Sequence, residues 1–164
     1  MAAQTTGLTS FTSALPLGGA RPSLFEFTIS ATPTGVNTTL SDVHLYCNVS
    51  EIPPLTLTPI ERQYFGRTVK IPGDIVFGDL STTIINAEDY KVRNSIEAWM
   101  EAINTTAGNV GFSDNDSWVS SATLRQYGKD GSTLIDYDFW DIWPTSISEI
   151  ALSYDTASDI EQFD

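Results

Sequence analysis

The chain has 164 residues, 41% hydrophobic and 11% aromatic, which suits one domain with a real core rather than a disordered segment. It sets 21 Asp and Glu against eight Lys and Arg, a formal charge of −13, and residues 113–164 hold 11 of those acids and two of those bases. Such a surface repels nucleic-acid phosphates, no apolar run is long enough to span a bilayer, and a lone Cys47 excludes an intrachain disulfide.

Residues 1–20 are rich in Thr, Ser, Ala and Gly, without a basic and apolar leader, and read as a flexible or partner-ordered arm. The ordered domain is expected over 21–164. Phe25, Phe27 and Ile29 alternate with Glu26 and Thr28, the pattern of a half-buried strand. A turn is expected over Ala31–Asn37, then a second strand with Val43, Leu45 and Cys47 alternating with His44 and Tyr46. Pro53, Pro54 and Pro59 make Glu51–Pro59 an edge or crossing loop. Gln63–Ile71 reads as a strand with Phe65, Val69 and Ile71 on one face, and Pro72-Gly73-Asp74 as a turn. Leu80, Thr82 and Ile84 form a further strand.

The period then changes. Val92, Ile96, Trp99, Met100 and Ile103 line one face of an amphipathic helix predicted over 87–104, with Asn86 as N-cap and Glu88 and Asp89 in the first turn. A polar loop over Asn109–Asp116 leads to a β-rich Val119–Tyr127 and a hairpin turn at Gly128-Lys129-Asp130-Gly131. Leu134–Ile142 follows, with Ile135, Tyr137 and Phe139 on one face and Asp136 and Asp138 on the other. Trp143-Pro144 ends it, Ile150, Leu152 and Tyr154 open another strand, and Ile160–Asp164 starts a last one that is short or cut. The expectation is a mainly β fold, an antiparallel sandwich or partly closed barrel of seven or eight strands with one packed helix.

No motif carries chemistry. Asp136 and Asp138 share a face, but Asp141 falls on the other by parity unless a bulge intervenes, and no His or Cys accompanies them. His44 and Cys47 are alone in their types, and on one strand they would point to opposite faces. No catalytic, metal or cofactor site is assigned. Of Trp99, Trp118, Trp140 and Trp143, the first belongs to the helix stripe, and Trp140 shares the Asp136/Asp138 face, exposed or at a subunit contact. An acidic carbohydrate-binding or carbohydrate-hydrolysing sandwich stays open as an alternative.

Several segments, in order, carry a resemblance: Arg21-Pro22-Ser23-Leu24-Phe25, then Phe65 to Asp74 (FGRTVKIPGD), then Thr82 to Asp89 (TTIINAED), then Leu124-Arg125-Gln126-Tyr127 with Lys129-Asp130, then Trp143-Pro144-Thr145 before an acidic end. Over most of residues 21–164 the chain resembles the tail tube proteins of contractile-tailed bacteriophages, of the myovirus type, with the Hcp tube of type VI secretion and pyocin-like inner tubes as cousins. The resemblance implies six-membered rings, joined sheet edge to sheet edge and stacked as a tube inside a sheath. It implies a virion tail component assembled in the host cytoplasm, with no enzyme activity, cofactor or membrane. Its partners would be its own copies, a sheath protein, a tape-measure protein, baseplate or tube-initiator and tail-terminator proteins, and double-stranded DNA passing without specific binding. A non-phage injection system is the near alternative. The family pattern carries one more strand after Phe163. Asp136 and Asp138 are the candidate lumen residues, and Arg62, Tyr64, Arg67, Lys70 and Trp140 the candidate contacts between subunits or rings.

Overall fold

The structure, a computed structural model, describes residues 11, 13–15, 18–30, 33, 40, 42–108, 110–111, 118–156 and 159–164. The arm expected over 1–20, the turn over 31–37 and the loop over 109–116 lie largely outside them. In chain order the elements are β1 (Phe25–Ile29), α1 (Val43–Tyr46), β2 (Cys47–Ser50), β3 (Leu55–Tyr64), β4 (Arg67–Phe77), β5 (Thr82–Ile85), α2 (Lys91–Ile103), β6 (Ser120–Tyr127), β7 (Thr133–Ile142), a 3-10 turn (Tyr154–Thr156) and β8 (Gln162–Phe163). The strands pair antiparallel in three sheets, ordered β1-β6-β7, β2-β5-β8 and β3-β4. The fold is mainly β, as the alternation predicts. The chain divides into two compact units, one within 1–45 and 91–145, the other within 46–90 and 146–164.

The first unit holds β1, β6, β7 and α2. Register places Phe27 opposite Leu124 and Leu124 opposite Tyr137, and Ile29 opposite Ala122 and Ala122 opposite Phe139. These rows form one apolar face, and Phe27, Ala122 and Leu124 are buried. Helix α2 buries Val92, Ser95 and Trp99, with Ile96, Met100 and Ile103 half-buried, so the predicted stripe is the inward face. Ser95 is the one member that periodicity misses. It is tolerated inside because its hydroxyl donates to the Lys91 carbonyl at 2.7 Å. The Trp99 indole N–H donates to the Trp118 carbonyl at 2.7 Å, which ties the helix to the residue pair before β6.

The helix starts later than predicted. Tyr90 takes φ 52°, outside the helical region, and its N–H closes a turn on the Ala87 carbonyl at 2.9 Å. Glu88 and Asp89 therefore lie in that turn, and α2 has no acid in its first turn. Asn86 is not its cap. Asn86 is buried, its backbone N–H donates to the Glu161 carbonyl at 2.8 Å, and its side-chain Nδ2 has no hydrogen-bond partner among the described residues.

In the second unit Ile84 pairs with Phe163, and both are buried. The last strand is only two residues long, but it is well tied. Thr83 donates to the Asp164 side chain at 2.7 Å, Ser148 bonds both the N–H and the C=O of Asp164 at 2.9 Å, and Tyr90 donates to Glu161 at 2.8 Å. Residues 150–153 form no strand, despite their alternation. Val43–Tyr46 is helical rather than extended, so His44 lies in α1 while Cys47 opens β2.

Candidate interaction surfaces

In the β3–β4 hairpin Leu55–Pro59 is an edge strand, the first of the two readings its prolines allowed, while two other expectations are overturned. Pro72-Gly73-Asp74 runs inside β4 rather than turning the chain. The reversal falls instead at Phe65-Gly66, with φ 47° and 71°, so Phe65 is a turn residue and not part of a strand face. Positive φ at both central residues marks the type I′ turn, whose twist suits a hairpin. The prolines are tolerated because each strand of a two-stranded ribbon is an edge and needs ladder bonds on one side only. Pro59 pairs with Pro72 at a bulge, where the register slips after Leu57. Glycine is required beside it: a Cβ on Gly73 would lie 2.5 Å from the Thr58 carbonyl oxygen.

This ribbon is exposed along both strands, Gly73 alone being half-buried, and among the described residues it joins no other sheet. Its ten-residue β3 spans roughly 33 Å. The pairs Ile60↔Ile71, Arg62↔Val69 and Tyr64↔Arg67 put Ile60, Arg62, Tyr64, Arg67, Val69 and Ile71 on one face. Glu61↔Lys70 and Gln63↔Thr68 occupy the other, where Lys70 pairs with Glu61 at 3.1 Å. Of the four candidate contact residues here, three share a face and Lys70 does not.

The second surface is the polar face of β1-β6-β7. Register aligns Glu26, Arg125 and Asp136 in one row and Thr28, Thr123 and Asp138 in the next. Arg125 grips Asp136 through two parallel bonds, Nε to Oδ1 at 2.8 Å and Nη2 to Oδ2 at 3.0 Å. Thr123 donates to Asp138 at 2.9 Å, and the Tyr127 hydroxyl donates to Glu26. The parity reading of Asp136 and Asp138 holds, but their charges are not equivalent. Asp136 is balanced by Arg125, while among the described residues Asp138 receives a hydroxyl hydrogen bond and no ion pair. The bond from Arg125 holds the Asp136 carboxyl below its usual range, the bond to Glu26 raises the Tyr127 phenol, and the bonds from Ser132 lower Asp130 in the β6–β7 turn.

The sign of the Asp136 shift fixes a pH effect. A depressed carboxyl contributes stability above its unfolded value, about 3.9, and loses it as pH falls through the folded value below. Asp136→Asn is therefore expected to flatten the acid limb of the stability curve below about pH 4. Acid titration followed by circular dichroism tests this, and an unchanged limb would show that the pair does not couple to folding.

Trp140 stands on β7 and is 77% exposed, beside a bulge between Ser120 and Ala122 where Asp141 takes φ 55°. Trp118 and Trp143 meet edge to face at 5.8 Å and 80°, and Trp99 is buried. Rings so arranged present no row of parallel faces for a sugar. Burial pushes the Cys47 thiol up to about 11, and its sulfur donates to the Val49 carbonyl at 3.4 Å, the environment of an unreactive thiol. Among the described residues, no three His, Cys, Asp or Glu side chains gather as a metal site.

Comparison with known proteins places the chain in a family. The chain is 26% identical over 146 residues to the tail tube protein gp19 of Enterobacteria phage T4, covering 88% of this chain and 85% of that one. It is 25% identical over 122 residues to the tail tube protein of Serratia phage KSP90, covering 74% and 69%. Its fold matches a chain in the structure of the sheath–tube complex of an extracellular contractile injection system in its extended state, the PVC complex, with TM-score 0.60 and 13% identity, over 97% of this chain and 90% of that one. Residues 20–164 match the family described as phage tail tube protein, and the chain belongs to that family.

Proposed function

We propose that this tail tube protein is a structural component of a contractile phage tail, in which six copies close into a ring and stacked rings form the inner tube. The sheath surrounds it. Double-stranded DNA leaves through it without specific binding, and a tape-measure protein, an initiator at the baseplate and a terminator complete the tube. The virion tail is its location, and its work is assembly rather than catalysis. The observation that carries this reading is the β3–β4 ribbon, which exposes apolar side chains along its length and belongs to no larger sheet. A two-stranded ribbon is marginal alone in water, and exposed strand edges recruit other chains unless something covers them. Closure of a ring of identical copies removes such edges. The relatives favour a phage tail over another injection system, since both sequence matches are phage tail tube proteins. Sedimentation velocity over a concentration series, with negative-stain microscopy, tests the assembly. Rings or tubes with a central hole support it, and monomers at high concentration contradict it.

The polar face of β1-β6-β7 is assigned to the bore. Glu26, Asp136 and Asp138 there outnumber Arg125, and a carboxylate wall gives phosphate nothing to hold. Asp138→Lys is the sharper probe, because a lysine at 136 would face Arg125. Tubes of Asp138→Lys should form normally while DNA release from assembled particles slows. Release at the normal rate would remove this face from the bore.

A further inference from the structure

The tip of the β3–β4 ribbon carries an unfavourable choice. Phe65 sits at φ 47°, where a bulky residue is an outlier and asparagine before glycine is preferred. It is 88% exposed, so it buries little apolar surface among the described residues. Tyr64 meets it edge to face at 4.6 Å, and the two rings form one knob. Behind the knob lie Arg62 and Arg67, and neither forms an ion pair among the described residues. Aromatic residues and arginine on one unpartnered face are the composition of an interface core. Strain held at an exposed position points to function outside the isolated chain.

A counterpart exists on the same chain. An open, solvent-facing pocket of about 730 Å³ is bordered by Ile150, Leu152, Tyr154 and Ile160, with Asp159 and Glu161 at its edge. Leu152, Tyr154 and Ile160 are exposed, and residues 146–164 carry five acids and no base. The Tyr90 hydroxyl fixes the Glu161 carboxylate at 2.8 Å. We infer that the Tyr64–Phe65 knob of one copy seats on this open pocket of a second copy, with Arg62 and Arg67 meeting Asp159 and Glu161. Apolar rings then meet apolar lining, and the cationic face meets the acidic segment. The contact joins two different patches, so it is heterologous and propagates from copy to copy. It rests on the assembly reading and names the surface that receives the ribbon.

Cys47 is the sole cysteine, so Cys47→Ser gives a clean background for cross-linking. Phe65→Cys and Leu152→Cys in one chain, oxidised after assembly, should give a ladder of covalent oligomers. Singly substituted chains, mixed, should stop at dimers. Phe65→Asn is the companion variant: it suits the turn, so the monomer should melt no lower, while the concentration needed for assembly rises about tenfold or more. Assemblies of the double-cysteine protein without cross-links would overturn the assigned contact while leaving tube formation standing. Assembly of Phe65→Asn at the normal concentration would also overturn it. A wild-type protein that stays monomeric would instead overturn the assembly reading itself.

Discussion

Trp99→Ala is expected to lower stability by about 3–5 kcal/mol, the cost of emptying a buried aromatic site. The indole is 3% exposed and shares the first unit's core with Phe27, Val43, Val92 and Leu124. The loss has a second part. Its N–H donates to the Trp118 carbonyl at 2.7 Å, and truncation leaves that acceptor unsatisfied. Trp140→Ala is the control, since a ring 77% exposed supports little within one copy. Urea denaturation of both variants separates the cases. Equal midpoints would place Trp99 outside the core.

The second large effect concerns assembly and leaves the fold intact. Ile60 and Ile71 sit opposite each other on the exposed face of the β3–β4 ribbon. Replacing both by threonine keeps β-branched residues at a cross-strand pair, so the ribbon retains its shape. It removes apolar surface from the proposed interface, which needs on the order of 1,000 Å² of well-packed burial to be stable. The double variant should melt within a few degrees of wild type and yet form no tubes at the concentration where wild type assembles. Light scattering with melting curves on the same samples measures both. Normal assembly would show that this face stays in solvent in the tube.

The elements legible in the sequence were those whose partner lies in the same chain. Phe25–Ile29 and Thr133–Ile142 alternate because β1-β6-β7 has one apolar face, buried at Phe27, Ala122 and Leu124 and half-buried at Tyr137 and Phe139, and one polar face, while the stripe of α2 is likewise its inward side. The turn expected at Pro72-Gly73-Asp74 does not form, because Pro72 stands in an edge strand, where a missing ladder donor can face the open side. The ribbon's own turn was missed because phenylalanine is a poor residue for φ 47°. Alternation at Ile150, Leu152 and Tyr154 produced no strand, since alternation describes two faces and supplies no partner ladder. The Arg125–Asp136 pair was hidden for another reason. It depends on register, and the slip between Gln126 and Tyr127 cannot be read from composition. The two carboxylates of β7 were therefore visible, while the cation that neutralises one of them was not.

These differences share a pattern. The chain's own core explains Trp99, Ser95 and the paired faces of β1-β6-β7. It does not explain Phe65, Tyr64 or the apolar length of β3 and β4, which face water in a single copy. Surfaces of that kind are costly in a monomer and useful in a polymer. Their concentration in one ribbon is what the proposed assembly would account for.

A cryo-electron microscopy reconstruction of the assembled protein tests this most directly. The account predicts a hollow tube in which residues 55–77 of each copy are covered by a neighbour and the Asp138 face lines the channel. Closed particles with the ribbon bare to solvent and no continuous channel would contradict it.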